Sequence, residues 1–562
     1  MDDSSRVGGM KILVVSLLRL GDILLSTAVL RSLKRQNPNA EIHILINGQF
    51  KSVATLIPYV SKVFCFDRDG LQHMIGTPDH SLLEAYFRIE DLVEKLQVEN
   101  YDKVINLTHN RLSGWLTALV GCKNTQGVVY NSEGRFSVGS RWFEYLNDNT
   151  APSLNNVFHF VDVFHYGAEV ATPDRRIELK EGEAGRVFAQ NLFKNPNAQR
   201  IVLQPGTNEK KKTFGTKKWK NIASLVAQTQ PDAEIYILGA PSEQNILDEI
   251  CEGTKFIPVM ASLEEVFSVL QLSHMLITGD TSIKHLATGT KIKILEISLG
   301  SSELRKTGAY ISGAIILQGK VPCAPCSHRT ACTQKTHECA DKVSEELIAL
   351  TVGAMLRQDE SALRMLAHEF RDEATVLRTQ INTQGDWAAY ELGNRFSQDE
   401  IGRWIDRTSS KLFLEKTHEK QIGEFGSEGL ELKVLLENIF PDQSWREWVS
   451  ELKEMEKQVI WFEEQIVKLL GRLKEILVRM DSGTYLDRYI SELRQFCEKV
   501  EMTPLFQSYG KQISLILDEV PTGAAPFVTV KHLREQLGTA HQRTKIELKL
   551  IRGLQTGFME VV

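Results

Sequence analysis

Short β-branched apolar runs alternate with helical stretches along the first third of the chain. The runs KILVV, EIHILI, KVFCF and KVINL are separated by segments of helical periodicity, of which STAVLRSLKRQ is the clearest. Such alternation is typical of a parallel sheet that is covered by helices on both faces. It therefore predicts a doubly wound α/β domain.

A second set of alternating runs begins near residue 200, with RIVLQPG, EIYILGA, MLITGD and KILEISLG. We therefore expect two Rossmann-like domains, over residues 10–173 and 174–345, with the boundary near ATPDRR. Residues 1–9 are polar and glycine-rich, and we expect them to be a disordered extension. Residues 130–175 lack clear periodicity, so their structure is left open.

Beyond residue 345 the strand pattern fades, and Glu, Lys, Leu and Arg dominate with helical spacing. This predicts an all-helical, coiled-coil-like region over residues 346–562. Its clearest feature is an apolar seam with spacings of three and four: Trp445, Trp448, Leu452, Met455, Val459, Phe462, Ile466, Leu469, Leu473, Ile476 and Met480. The seam fits an intramolecular helix pair or an intermolecular coiled coil, and we favour the former.

Size and charge narrow the class of protein. A chain of 562 residues exceeds what one hydrophobic core usually holds, so at least two domains are expected. The net charge of -6 gives no global reason to expect a nucleic-acid partner. No apolar run approaches the length of about 18 residues that spans a bilayer, and MDDSSR is unlike a signal peptide, which predicts a cytoplasmic location.

The segment LLRLGDILLS places a carboxylate, Asp22, among leucines directly after the first predicted strand. Ligands of open α/β sheets bind beyond the carboxyl ends of the strands, so Asp22 is a candidate for the active site. Partial burial by the leucines would raise its pKa and suit it to taking a proton from a hydroxyl. The alternative is an aspartate that only caps the helix.

Two loops of the second predicted domain carry groups suited to an anion. In LQPGTNEKKKTFGTKKW, a threonine and several lysines follow a strand, and in GDTSIKHLAT polar residues stand at the start of a helix. Such groups bind diphosphates. The alternatives are a solvated basic loop, a capping aspartate and a core histidine. Neither loop matches a dinucleotide fingerprint or a P-loop.

These motifs, taken together, resemble the lipopolysaccharide heptosyltransferase family of glycosyltransferases. The resemblance covers roughly residues 10–345 and depends on GDILLSTAVLRSLKRQNP, LQPGT with KKW, GDTSIKHLAT and CAPC. It implies a GT-B architecture, with two Rossmann-like domains that face a cleft. It also implies inverting transfer of heptose from ADP-heptose to a lipopolysaccharide core acceptor, without a catalytic metal.

The resemblance also assigns roles to individual residues. Asp22 matches the general base that deprotonates the acceptor hydroxyl. The residues that match the donor-binding positions are Thr207, Lys217, Asp280, Thr281, Ser282 and His285. The chain departs from the family at Ser282, where the family usually has glycine, and in the basic insert NEKKKTFG. These departures put the diphosphate contacts and the nucleoside in question.

Four cysteines, Cys323, Cys326, Cys332 and Cys339, have the spacing C-x2-C-x5-C-x6-C. A C-x2-C pair can hold one edge of a tetrahedral site, so a structural zinc or iron is chemically reasonable. The second pair lacks that spacing, which leaves reduced, unliganded thiols as the alternative. In a branch of the family that glycosylates autotransporter proteins, similar cysteines hold a structural iron.

Three functions remain open. The first is a heptosyltransferase acting on lipopolysaccharide, and the second is the same chemistry on a protein acceptor. The third is a non-catalytic sugar-nucleotide fold that serves as a scaffold. The helical region has no counterpart in the ordinary family pattern, and it could recruit a protein acceptor, mediate oligomer assembly or contact the inner membrane peripherally.

Overall fold

A computed structural model gives the fold. It describes residues 9–76, 82–148, 157–170, 172–393, 398–415, 445–479, 483–501, 506, 509–510, 513–514, 517 and 526–559. The chain divides into two compact units, Met1–Leu392 and Gly393–Val562. The predicted extension, residues 1–9, lies outside the described residues except for Gly9.

The first sheet of the first unit has five parallel strands in the order β3-β2-β1-β4-β5. Their bounds are β1 (Lys11–Ser16), β2 (Glu41–Asn47), β3 (Lys62–Phe66), β4 (Lys103–Asn106) and β5 (Thr125–Gln126). A small antiparallel pair follows, formed by β6 (Val128–Tyr130) and β7 (Phe136–Val138). The helices of this half are α1 (Leu20–Gln36), α2 (Arg68–Gly76), α3 (Leu82–Gln97), α4 (Arg111–Val120), α5 (Arg141–Asp148) and α6 (Phe160–Gly167).

The second sheet has eight strands in the order β10-β9-β8-β11-β12-β13-β14-β15, of which the first six are parallel. Their bounds are β8 (Gln199–Gln204), β9 (Ala233–Gly239), β10 (Ile257–Met260), β11 (Met275–Gly279), β12 (Lys293–Ser298), β13 (Ile315–Gly319), β14 (Ala374–Ile381) and β15 (Trp387–Glu391). The helices are α7 (Glu183–Leu192), α8 (Thr216–Thr229), α9 (Gln244–Cys251), α10 (Leu263–Gln271), α11 (Ser282–Ala287), α12 (Leu304–Thr307), α13 (Glu338–Asp341), α14 (Glu345–Arg357) and α15 (Glu360–Glu369).

The central strands are buried on both faces, which explains their continuous apolar sequences. In β1, the side chains from Ile12 to Val15 are all fully buried. In β11, Met275, Leu276 and Ile277 are likewise inaccessible. Strands covered by helices on both sides bury every position, so they lose the alternation of a half-exposed strand. The two doubly wound sheets predicted from the sequence are thus present.

The start of the helical region differs from the prediction. Residues 346–392 belong to the first unit, and they include β14 and β15 as well as two helices. β14 pairs antiparallel with β13, and β15 pairs antiparallel with β14. The predicted boundary at residue 345 is therefore wrong. The hairpin gives β13 a second neighbour, so that the edge of the parallel sheet is not left unpaired.

The described residues of the second unit are helical, apart from Gly393 and Glu415. Its main helices are α16 (Gln398–Leu414), α17 (Trp445–Arg479), α18 (Gly483–Glu501) and α19 (Pro526–Met559). The seam of α17 is buried within the one chain from Leu452 to Leu473, and Phe462 stacks on Phe506 with ring centroids 4.3 Å apart. This favours the intramolecular alternative. The side chains of Trp445, Trp448, Ile476 and Met480 lie outside the described set.

Among the described residues, no helix combines the length and the apolar character that a membrane span needs.

Candidate active site

In each sheet, the loops that follow the central strands carry the candidate residues. β1 lies between β2 and β4. From β1 the sheet extends to one side through β2 and β3 and to the other side through β4 and β5. β8 and β11 occupy the corresponding place in the second sheet. Crevices at the carboxyl ends of such strands are where ligands bind in doubly wound folds.

Asp22 is the third residue of α1, and it is partly buried. Its Oδ2 accepts a hydrogen bond from the backbone N–H of Arg19 at 3.1 Å, so it does cap the helix. Burial raises the pKa of Asp22 to about 6, although the Arg19 hydrogen bond and the charges of Arg19 and Lys306 oppose the shift. Asp280 adds to it by repulsion. A carboxylate with a pKa in this range is ionised at neutral pH and is a better proton acceptor than an exposed one.

Residues of both halves of the first unit line the same crevice. A methyl group at Gly21 would lie 3.0 Å from Cδ2 of His285, so α1 and α11 touch at this point. Nη1 of Arg19 lies 3.8 Å from Oε1 of Glu209. The start of α1 therefore faces the loops after β8 and β11.

Asp280 is the centre of a network of charges directly after β11. Its Oδ1 accepts hydrogen bonds from Nζ of Lys284 at 2.7 Å and from Oγ1 of Thr307 at 3.3 Å. Its Oδ2 accepts one from Nζ of Lys212 at 2.9 Å. Burial alone would raise the pKa of Asp280, but Lys284 and Lys212 together lower it below its ordinary value. Asp280 is therefore ionised, and its oxygens are fixed in place.

Lys284 is fully buried, and it also donates a hydrogen bond to Oε1 of Glu296 at 2.7 Å. Oε2 of Glu296 accepts a hydrogen bond from the backbone N–H of Ala309 at 3.0 Å. Burial opposes the charged ammonium, yet the carboxyl groups of Asp280 and Glu296 raise the pKa of Lys284. Lys284 on α11 and Glu296 on β12 thus form a buried chain of charges that fixes the position of Asp280.

The lysine that reaches this network comes from the basic insert. Lys217 lies in the first turn of α8 with an exposed side chain. Lys212 ends a short 3-10 turn, Lys210–Lys212, and its side chain is mostly buried against Asp280. The role predicted for Lys217 stays a prediction, and Lys212 is a further candidate for contacting an anion.

Side chains just before Lys212 anchor the insert to neighbouring loops. Nζ of Lys211 donates hydrogen bonds to the carbonyl oxygens of Ser327 at 2.5 Å and Thr330 at 2.7 Å. Oγ of Ser301 donates one to Oε2 of Glu209 at 2.7 Å. The loop is therefore held while the end of the Lys212 side chain remains close to the crevice.

The remaining predicted donor-binding residues lie around the same loops. Oγ1 of Thr281 donates a hydrogen bond to Oε1 of Gln204 at 2.9 Å, which ties the end of β8 to the loop after β11. Oγ1 of Thr207 accepts one from the N–H of Glu209 at 3.4 Å. Ser282 is the first residue of α11. Burial and Lys284 lower the pKa of His285 well below its ordinary value, so its imidazole is neutral.

The cysteine cluster gives limited support to a metal site. Cys339 is buried, Cys332 is exposed, and all four cysteines are free thiols. Among the described residues, the only three potential ligand atoms that lie within 4.8 Å of one another belong to Glu41, His43 and Glu99. The four sulfur atoms therefore do not form a preorganised metal site.

The group of Glu41, His43 and Glu99 is better explained as a set of ion pairs. Oε2 of Glu99 is 2.9 Å from Nζ of Lys11, and Nε2 of His43 is 2.9 Å from Oε1 of Glu41. Hydrogen bonds from Lys11 and Lys62 lower the pKa of Glu99 to about 2. The ammonium groups of Lys11 and Lys62 already neutralise the carboxylate of Glu99, which a metal ion would need as a ligand.

Sequence reasoning missed four residues of the site: Lys212, Lys284, Glu296 and Lys306. Asp280 and Lys284 are four residues apart, a spacing that favours ion pairs on a helix and could have indicated their contact. Glu296 interrupts an apolar strand, which is a signal of a buried partner. The sequence holds no comparable signal for Lys212 or Lys306.

The family model "Glycosyltransferase family 9 (heptosyltransferase)" matches residues 89–337. Lipopolysaccharide heptosyltransferase 1 of Campylobacter coli is 22% identical over 309 residues, which cover 50% of this chain and 80% of that protein.

Two solved structures are similar in fold. A glycosyl transferase family 9 protein from Veillonella parvula has 16% identity and a TM-score of 0.50, and the match covers 64% of this chain and 100% of that chain. The ADP-heptose lps heptosyltransferase II of E. coli has 15% identity and a TM-score of 0.45, with 62% and 100% covered.

The two doubly wound halves share the GT-B-like fold of the Veillonella parvula protein. The family match begins in α3 and ends at residue 337, two residues before Cys339. Residues 89–337 are thus similar to a glycosyltransferase family 9 domain.

Proposed function

We propose that the protein transfers heptose from ADP-heptose to an acceptor hydroxyl, with inversion at the anomeric carbon, and that the acceptor is a lipopolysaccharide core. The observation that carries the proposal is the position of Asp22, a partly buried carboxylate that faces the charged loop of Asp280 and His285 across one crevice. The family match supports the same chemistry.

In the proposed reaction, Asp22 takes the proton of the acceptor hydroxyl. The acceptor oxygen then forms a bond to the anomeric carbon, and the bond between that carbon and the diphosphate oxygen breaks. The electron pair leaves with ADP. Lysine ammonium groups and the hydroxyl of Thr207 stabilise the negative charge that develops on the leaving group. Lys217, in the predicted donor-binding position, and Lys212, beside Asp280, are the candidate lysines.

Asp280, Thr281, Ser282 and His285 are assigned to donor binding. The neutral imidazole of His285 does not act as a charged acid, and its position beside Gly21 suits a contact to the sugar. Asp280, as an ionised acceptor of hydrogen bonds, suits a sugar hydroxyl. None of these roles needs a catalytic metal.

The base role is tested by Asp22→Asn, with Asp91→Asn as an exposed control on α3. Release of ADP from ADP-heptose in the presence of an acceptor should fall by at least about a thousandfold in Asp22→Asn. The dissociation constant of ADP should stay within about twofold of the unmodified protein. Turnover by Asp22→Asn equal to that of Asp91→Asn would remove Asp22 from the base role.

The acceptor is a separate question, and a protein acceptor is the second candidate because the chain carries an additional compact helical unit. Ending the chain after Leu392 keeps the whole of the second sheet. Transfer to lipopolysaccharide core that survives this truncation supports the lipid acceptor. If the full chain modifies a protein and the truncated chain does not, the helical unit recruits that protein.

The cysteine cluster remains a proposed structural site for zinc or iron, in which the thiols of Cys323, Cys326 and Cys332, in the loop before α13, and of Cys339, in α13, would move together when the metal binds. Element analysis of the purified protein tests it, with Cys326→Ser as the variant and Cys251→Ser as the control. One equivalent of metal that is lost only in Cys326→Ser supports the site. Its absence from the unmodified protein leaves four reduced thiols.

A further inference from the structure

The two lysines bound to Asp280 differ in how firmly they are held. Nζ of Lys284 is fully buried and shared between Asp280 and Glu296, each at 2.7 Å. Lys212 contacts only one carboxylate closely, since its next neighbour, Glu209, is 4.0 Å away. The side chain of Lys212 is 11% exposed, whereas that of Lys284 is fully buried.

The loop geometry permits the end of the Lys212 side chain to move without moving the backbone. Lys211 and Glu209, both before Lys212 in sequence, are hydrogen-bonded to Ser327 and Ser301. Directly after Lys212, Oγ1 of Thr213 donates a hydrogen bond to the carbonyl oxygen of Pro205 at 2.7 Å. A lysine ammonium is a point charge on a flexible stem with three rotatable donors. It can therefore change partners at little cost if a second anion is offered within reach.

We propose that Asp280 is held by one permanent lysine and one exchangeable lysine. Lys284 stays on Oδ1, whereas Lys212 leaves Oδ2 for the diphosphate of the sugar nucleotide when the donor binds. Oδ2 then becomes available to accept a hydrogen bond from a hydroxyl of the transferred sugar. The inference rests on the proposed function, which supplies a diphosphate donor.

The exchange has a consequence for the base. Asp280 repels the negative charge of Asp22, and Lys212 partly compensates Asp280 while it is bound there. When the ammonium moves to the diphosphate, Asp280 keeps only the lysine that it shares with Glu296. Donor binding therefore changes the electrostatic surroundings of Asp22 as well as freeing an acceptor for the sugar.

The test is a double-mutant cycle with Asp280→Asn and Lys212→Met, and calorimetry measures the dissociation constant of ADP in the full-length protein. Asp280→Asn removes the anion that holds Lys212, so ADP should bind about threefold to tenfold more tightly. Lys212→Met should weaken ADP binding about tenfold. In the Lys212→Met background, Asp280→Asn should bring no tightening.

Lys210→Met is the matched control, because Lys210 is an exposed lysine of the same 3-10 turn. It makes the same change in net charge and should alter ADP binding less than twofold. Asp280→Asn should also weaken ADP-heptose relative to ADP, since the sugar loses its acceptor. Thermal melting checks that each variant is folded.

Three results would overturn the exchange. The first is a tightening by Asp280→Asn that persists in Lys212→Met, since it would show a general charge effect. The second is weaker ADP binding in Asp280→Asn. The third is an equal effect of Lys212→Met and Lys210→Met, which decides the matter even if Asp280→Asn does not fold. An unmodified protein that binds no ADP would instead refute the proposed donor, and the exchange with it.

Discussion

Nη1 of Arg175 lies 2.7 Å from Oδ1 of Asp386, which joins the segment between the two sheets to the turn of the β14–β15 hairpin. The same guanidinium donates a hydrogen bond to Asp162 on α6 at 3.1 Å, and all three residues are buried. Tyr310 donates a further hydrogen bond to Asp162 at 2.7 Å. The hairpin is therefore part of the buried framework of the catalytic unit.

Asp386→Ala should lower the free energy of unfolding of the first unit by about 3 kcal/mol, because it leaves the buried Arg175 with fewer anionic partners. Urea denaturation followed by tryptophan fluorescence measures the loss, since Trp387 adjoins the site. Asp372→Ala, at an acid whose side chain is 87% exposed, is the control and should cost little. Equal stability of the two variants would contradict the structural role of the hairpin.

The pH dependence of transfer should follow the ionisation of Asp22. Because burial raises its pKa to about 6, the base is protonated below that pH and ionised above it. The rate of transfer at low substrate concentration should rise about tenfold per pH unit below pH 6 and level off above it. A profile that is flat down to pH 4.5 would contradict this assignment.

Lys306→Met should move that profile to higher pH. The positive charge of Lys306 lowers the pKa of Asp22, so its removal makes the carboxyl harder to ionise. The ammonium of Lys306 lies over the Phe160 ring, 5.1 Å from its centroid, and methionine removes this charge while keeping an apolar stem of similar length. Lys320→Met, a change of the same charge at an exposed position, should leave the profile in place. The midpoint of the rate profile is the quantity to compare.

Gly21→Ala should reduce turnover about tenfold, because the added methyl would lie 3.0 Å from His285 and displace the base from the donor loop. ADP binding should change less, since the displacement concerns the relation of the two loops. Gly76→Ala meets no atom within 4 Å and is the control. Loss of ADP binding in parallel with turnover would show damage to the donor site instead.

The stability of the helical unit should fall as the pH rises through 7. Glu547 is fully buried, and burial raises its pKa to about 7. The hydroxyl groups of Tyr509 and Ser409 donate hydrogen bonds to Oε1, and these bonds oppose the rise in pKa. The folded unit thus binds a proton that the unfolded chain releases above about pH 4.3. This contribution is complete below that pH and is lost by pH 8, up to about 3 kcal/mol.

Hydrogen exchange of peptides from α19 at pH 5.5 and pH 8, corrected for the intrinsic rates, measures the change. Glu547→Gln should remove most of the pH dependence, and Glu535→Gln, on the same helix, should leave it. Protection that is equal at both pH values in the unmodified protein would refute the prediction.

The sequence predicted both sheets because their central strands are continuous apolar runs that a doubly wound fold buries on both faces. It also predicted that Asp22 and Asp280 follow such strands, where ligands bind in these folds, and the structure has both residues there, whereas their roles stay predictions. These predictions depend on the pattern of apolar and polar residues within short segments, which a single sequence shows directly.

The hairpin and the lysines depend on contacts between distant segments. β14 and β15 have alternating apolar residues around NTQGD, but their pairing with β13 is visible only once the edge of the sheet is known. Several lysines crowd the insert, and only its folded path selects Lys212 rather than Lys217 to meet Asp280. The residues beyond 392 have a helical composition, and the short strands β14 and β15 before them were therefore assigned to the same helical region.

The contact between Gly21 and His285 also bears on how substrates enter. A rotation of the two sheets about this point would widen the crevice at its far side and leave the contact itself undisturbed. In the proposed function, the acceptor and the nucleotide would enter and leave by such a movement, while the contact keeps the start of α1, with Asp22, beside His285.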